Sequence, residues 1–205
     1  MKLKVCGLSK PTEVETCVSL NVDYCGFILN YPKSHRHIAF NKAVKLTKIK
    51  KGKTKFVGVL VNPSCEEFKK FTKLNLDYFQ LYGKYNNDEI FKIKKKYKKK
   101  IIFAIQVKSR KDILNYIKIK KSADIILWDS SGLEKSISWN YSWIKKIPKN
   151  ITKMIAGNIN IDKLDKISKL ADIVDVSGAL ETNKIKDPNK IEKFLKYAKK
   201  IIIQN

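Results

Sequence analysis

The stretch ADIILWD, residues 123–129, sets four apolar residues in a row between two aspartates. Successive side chains of a strand point to opposite faces. An unbroken apolar run of this length therefore reads as a strand buried on both faces, as in a parallel sheet covered by helices. Seven further runs match it: LKVCG (3–7), DYCGFIL (23–29), KFVGVLV (55–61), DYFQLYG (77–83), KIIFAIQ (100–106), TKMIAGN (152–158) and ADIVDVS (171–177). Between them lie segments with helical spacing of apolar residues. Pro11 to Leu20 follows Ser9, the expected cap. Asn62-Pro63-Ser64 precedes Phe68, Phe71 and Leu74. Asn86 or Asn87 starts a segment with Ile90, Ile93 and Tyr97 on one face, and Asp187-Pro188 opens one with Ile191, Phe194, Leu195 and Ala198. Trp139 to Ile147 has the weakest helical pattern.

Eight strands alternating with about eight helices predict a single-domain (β/α)8 TIM barrel spanning 1–205, at the small end of that fold. The competing open doubly wound sheet would be marked by a GxGxxG turn after the first strand, and CGLSK does not supply one. Polar groups at the C-terminal ends of barrel strands are the candidate functional residues. Here these are Cys6, the loop around Arg36, Asn62, Gln80, Asp129, the AGN at 156–158 and the DVSGALE at 175–181.

Composition narrows the function. The formal net charge of +25 suggests a polyanion binder, but the chain has only two arginines, Arg36 and Arg110, and its lysines are dispersed. The dense run KIKKKYKKK (92–100) sits where a helix should end and a strand begin, so it reads as a solvated face. No specific nucleic-acid partner is expected. No apolar run approaches the roughly 20 residues of a membrane helix, and lysines interrupt the N-terminus, so a cytoplasmic location is expected. Cys6, Cys17, Cys25 and Cys65 form no CxxC pair, and neither histidine, His35 or His37, has a cysteine near it in sequence. A metal site is therefore not expected. Cys17 and Cys25 read as core, and Cys65 as first-turn helix. A monomer is the working expectation.

The strand ends also resemble, in matching order along the whole chain, those of the phosphoribosylanthranilate isomerase family. KVCGL (4–8) resembles its first strand, GFILNYPKSHRHI (26–38) the loop after its second with Ser34 and Arg36, and VGVLVN (57–62) and FQLYG (79–83) the third and fourth. ILWDS (126–130) resembles the sixth, and DVSGALE followed by KD (186–187) the closing phosphate-binding region. The chain departs from the family pattern at SGLE (131–134), at Asn158 in place of a glycine, at the order of SGA (177–179), and at Tyr82 where a histidine is usual.

The resemblance implies an Amadori rearrangement of a phosphorylated aminoaldose, without metal or redox cofactor. Asp129 would be the general acid and Cys6 the general base. Arg36 would clamp the anthranilate carboxylate, with Gln80 at the barrel mouth. Gly157, Asn158, Ser177 and Gly178 would meet the phosphate. A thiol of ordinary pKa needs help to act as a thiolate; a substrate cation, nearby lysines or backbone N–H groups are the options. Two alternatives stand beside this reading. A sister isomerase acting on another phosphorylated aminoaldose should carry aspartate in place of Cys6. A non-catalytic basic binding protein would not need both Cys6 and Asp129.

Overall fold

In the computed structural model, residues 1–130 and 137–204 are described. Eight parallel strands run β1 (Lys2–Cys6), β2 (Tyr24–Ile28), β3 (Lys55–Val61), β4 (Tyr78–Tyr82), β5 (Lys100–Val107), β6 (Ile125–Ser130), β7 (Lys153–Ile155) and β8 (Ile173–Val176). Each pairs with the next, and β8 pairs in parallel with β1, from Lys2 opposite Ile173 to Val5 opposite Val176, closing the barrel. The expected (β/α)8 architecture is present.

The parity of each run explains the closure. Leu3, Val5, Phe27, Leu81, Trp128 and Val174 point outward into the layer beneath the helices. Their alternates, among them Tyr24, Val57, Val59, Tyr78, Ile102, Leu127, Met154 and Ile173, fill the barrel interior. With helices outside and packed side chains inside, both faces of the strands stay dry, which is what the continuous apolar runs require.

Among the described residues six α-helices lie on the outside: α1 (Pro11–Ser19), α2 (Phe40–Thr47), α3 (Cys65–Phe71), α4 (Asn87–Tyr97), α5 (Leu164–Ser168) and α6 (Pro188–Gln204). Ser64 caps α3 and Asn86 caps α4, each accepting from the backbone N–H three residues on. The start of α1 differs from expectation. Lys10, not Ser9, is its N-cap residue, and the Glu13 carboxylate accepts from the N–H groups of both Ser9 and Lys10. Pro11 at the first helical position holds Lys10 extended, and the first-turn carboxylate reaches back to the two N–H groups just before the helix, the reverse half of a capping box.

The connections after β5 and β6 are 3₁₀ turns, Arg110–Lys118 and Tyr141–Lys146, rather than α-helices. Their buried residues fall every third position: Ile113, Tyr116 and Ile119, then Tyr141, Ile144 and Ile147. Three-residue spacing aligns side chains along a 3₁₀ helix but drifts around an α-helix.

At the N-terminal rim one device recurs. Asp23, Asp77, Asp124 and Asp172 each precede an even-numbered strand. Each accepts, through its carboxylate, the backbone N–H of Leu3, Phe56, Ile101 or Lys153 at the start of the preceding odd-numbered strand. These bonds satisfy backbone donors that the parallel ladder leaves unpaired at the rim.

Helix α6 packs Ile191, Phe194, Leu195 and Ala198 inward, as its spacing predicts. Phe194 is 1% exposed. Phe194→Ala is expected to cost about 3–5 kcal/mol of stability, read as a lower urea midpoint at unchanged slope.

Candidate active site

The C-terminal ends of the strands surround one pocket. Cys6, Arg36, Asp129, Gly157, Asn158, Ser177 and Gly178 all line it, together with Tyr82 and Asp175. Seven of the eight residues to which the family resemblance gives a role thus meet in one place. Gln80 does not reach the mouth: it is 1% exposed and lies one layer down, where its Nε2 donates to the Tyr82 hydroxyl at 3.1 Å. Two residues separate same-face positions on a strand, so Tyr82 stands above Gln80 and takes the mouth position. Asn62 lies in a different cleft, beside Gly83 and Tyr85. The SGLE stretch at 131–134 lies outside the described residues.

Asp129 closes β6. The Tyr82 hydroxyl donates to its Oδ2 at 2.8 Å, and the Ser130 N–H donates to its Oδ1 at 2.7 Å. Burial drives the carboxyl up, the Tyr82 hydrogen bond pulls it down, and the charge of Asp175 adds to the rise; the result is a pKa of about 6. That value suits an acid operating near neutrality. Tyr82, which stands where a histidine was expected from the family pattern, is itself the donor that restrains Asp129.

Cys6 closes β1 and is 9% exposed. Burial pushes its thiol above the ordinary value, and the Lys4 ammonium opposes the rise. Lys4, two residues back on the same face, is fully buried and donates to both oxygens of Asp175 at 3.0 and 2.9 Å. Burial alone would lower the ammonium, but Asp175 foremost, with Cys6, more than offsets it and keeps Lys4 charged.

Arg36 enters the pocket from the loop after β2. Its stem runs over Gly7, whose φ is +80°; a β-carbon there would lie 2.4 Å from the arginine Cδ, so only glycine leaves the space. Its Nε and Nη2 donate to the two oxygens of Glu181 at 2.5 and 2.9 Å. Glu181 also meets Lys186 and lies 3.3 Å from His35 Nε2. Burial favours its neutral form, but Arg36 and Lys186 overcome this and hold the carboxyl at about 2. Arg36 is therefore locked on one edge, with the edge formed by Nη1 and Nη2 left for a ligand.

The late loops are built partly for their own packing. Gly157 has φ +105°, and the Trp139 ring fills the space over it; the Trp139 indole donates to the Ala156 carbonyl at 2.9 Å. Asn158 adopts φ 51°, a left-handed conformation asparagine tolerates. Its carbonyl accepts from Lys163, and its amide donates to Ser138. The Ser177 hydroxyl donates to the Cys6 carbonyl at 2.9 Å, tying β8 to the end of β1.

Reading strand ends passed over Lys4, and it left Asp175 and Glu181, inside DVSGALE, and Lys186, inside KD, without individual roles. A signal for the first two was present: each puts a charge on the inward parity of an otherwise apolar strand, where only a partner makes it tolerable.

Fold and pocket define a class, a (β/α)8-barrel protein with a buried carboxyl and a buried thiol facing one mouth. The family model described as N-(5'-phosphoribosyl)anthranilate (PRA) isomerase matches residues 3–197. A Streptococcus mutans protein named N-(5'-phosphoribosyl)anthranilate isomerase is 34% identical, covering 97% of this chain and 99% of its own length. A protein of that name from Thermoanaerobacter pseudethanolicus is 30% identical, covering 95% and 96%. The crystal structure of phosphoribosyl anthranilate isomerase from Thermotoga maritima superposes with a TM-score of 0.87 at 24% identity, covering 98% of this chain and 99% of that one. The chain belongs to the N-(5'-phosphoribosyl)anthranilate isomerase family.

Tyr82→Phe removes the hydroxyl that favours the charged form of Asp129. The Asp129 carboxyl is expected to rise from about 6 by about one further pH unit, read by ¹³C NMR titration. An unchanged titration would remove Tyr82 from the account of Asp129.

Proposed function

We propose that this protein converts N-(5'-phosphoribosyl)anthranilate to 1-(2-carboxyphenylamino)-1-deoxyribulose 5-phosphate, an Amadori rearrangement of tryptophan biosynthesis. Family membership supports the reaction. The observation that carries the residue assignment is the meeting of Asp129 and Cys6 on one pocket, the first with a pKa of about 6.

In this reading Asp129 gives its proton to the ribose ring oxygen. The bond from that oxygen to C1 breaks, and the anilino nitrogen lone pair forms a C1=N⁺ iminium. Cys6, as thiolate, takes the proton from C2, and those electrons neutralise the iminium to give an enolamine. Protonation at C1 and loss of the C2 hydroxyl proton give the ketone. No atom is gained or lost. The iminium acidifies C2–H at the moment the thiolate must act, so ground-state basicity need not be high.

Arg36 receives the anthranilate carboxylate along its Nη1–Nη2 edge, with Glu181 fixing the opposite edge. That gives the planar two-point contact for which lysine is no substitute. The phosphate lies against the loops bearing Gly157, Asn158, Ser177 and Gly178. Because the Ser177 hydroxyl already donates to the Cys6 carbonyl, the phosphate contact there falls to backbone N–H groups. Gln80 acts at one remove, by orienting the Tyr82 hydroxyl. The presence of Cys6 argues against the sister isomerase, which would be expected to carry aspartate there.

Residues 1–205 are read as one domain, acting as a cytoplasmic monomer on a small phosphorylated substrate. No helix among the described residues is long and apolar enough to cross a membrane. The basic run at 92–100 is read as surface rather than as a specific nucleic-acid site. Lys94 bonds Asp124, Lys99 donates to the Leu76 carbonyl, and Lys100 lies over the Tyr78 ring.

The test follows the loss of substrate fluorescence. Wild type should turn over, and Cys6→Ser and Asp129→Asn should each lose about 10²–10⁴-fold in kcat. No wild-type turnover refutes the activity; undiminished turnover by both variants refutes the assignment. The pH profile of kcat/KM should rise through about pH 6, where Asp129 titrates. It should stay level through neutrality and fall only above the ordinary thiol value of 9.0.

A further inference from the structure

The reading above leaves one requirement unmet: a thiol buried in a barrel must be available as thiolate. Lys4 supplies a group for this that does not itself line the pocket. Parity on β1 sends Lys4 and Cys6 to the same inward face. Across the β1–β2 ladder, Cys6 lies opposite Gly26. A methyl placed on Gly26 would stand 2.9 Å from the Cys6 sulfur and 3.1 Å from the Lys4 nitrogen. Sulfur and ammonium therefore converge on the empty space over this glycine. Sulfur and nitrogen are therefore at most about 6 Å apart, close enough for the charge to bias the thiol's ionisation. On its other side the ammonium is fixed by both oxygens of Asp175.

We propose that Lys4 is a positioning residue for Cys6: anchored by Asp175 and admitted by the missing side chain of Gly26, its ammonium stabilises the Cys6 thiolate from below the pocket floor. This rests on Cys6 being the base. The other groups facing Cys6 do not replace it. Burial pushes the thiol up, Lys4 is the strongest opposing influence, Asp175 adds to the rise, and Lys186 opposes it after Lys4. Tyr82, on β4, is held well above its ordinary value by burial and stays neutral, Cys25, on β2, is a buried thiol, and Asp129 is an anion above about pH 6. None of these three favours a thiolate.

The test measures the pH dependence of Cys6 alkylation by iodoacetamide, read on the Cys6 peptide by mass spectrometry so that Cys17, Cys25 and Cys65 do not interfere. Only the thiolate reacts. In Lys4→Met the midpoint should rise by about one unit or more, and alkylation below it should slow about tenfold. The kcat of isomerisation should fall about as far, with KM little changed, because Lys4 stands outside the pocket. A folded Lys4→Met, judged by near-ultraviolet circular dichroism, with an unmoved Cys6 midpoint overturns the proposal. If Lys4→Met does not fold, Gly26→Ala decides by the same criterion. It keeps both charges and wedges a methyl between them, so its midpoint should also rise, and an unmoved one overturns the proposal. Wild type that alkylates as expected but does not isomerise the substrate would refute the proposed function and leave the lysine–thiol relation standing.

Discussion

A lysine with no solvent exposure, held by two hydrogen bonds to an aspartate on the last strand, is the contact on which both the barrel and its site depend. Lys4 and Asp175 face each other across the β1–β8 ladder that closes the sheet. Neither charge could be buried alone; removing one partner of such a pair typically costs about 3–5 kcal/mol. A hydrophobic pair would have filled the same space at less desolvation cost. The ion pair carries a field into the layer directly beneath Cys6, which an apolar pair cannot do.

The two groups assigned to acid and base are held in an order that looks unfavourable. Asp129, the proposed acid, titrates at about 6, while Cys6, the proposed base, lies above its ordinary value. Between those points the enzyme carries one proton on the pair, and most of it sits on the sulfur. The reactive arrangement, with the proton on Asp129 and the charge on sulfur, is a minority form of the same protonation state. Its population depends on the gap between the two groups, and every neighbour acts on that gap. Burial raises both groups, Tyr82 and Ser130 pull Asp129 down and so widen the gap, and Lys4 pulls Cys6 down and narrows it.

The fold was legible because its strands had to be apolar on both faces, so ADIILWD and its counterparts could not belong to a half-exposed sheet. The site was legible to the extent that function shows at strand ends, which captured Cys6, Asp129 and Arg36. Gln80 was misplaced by one layer because an apolar run does not mark which of its last residues reaches the rim. Glu181 fell inside DVSGALE, but its role, to hold Arg36, stayed hidden because that contact spans 145 residues and no local pattern encodes it. The 3₁₀ connections after β5 and β6 were blurred for a different reason: spacing of three and spacing of three-to-four differ little over only two turns.

The four rim aspartates give the barrel a grain. Asp23, Asp77, Asp124 and Asp172 each staple an even strand to the odd strand before it, and among the described residues no such staple spans the opposite seams. The chain is therefore a ring of four two-stranded units, each carrying its own clamp. The seams between units, after β2, β4 and β6, are where a rearranged chain order could begin without separating an aspartate from the backbone it holds. They are also the natural borders for partial opening of the native barrel.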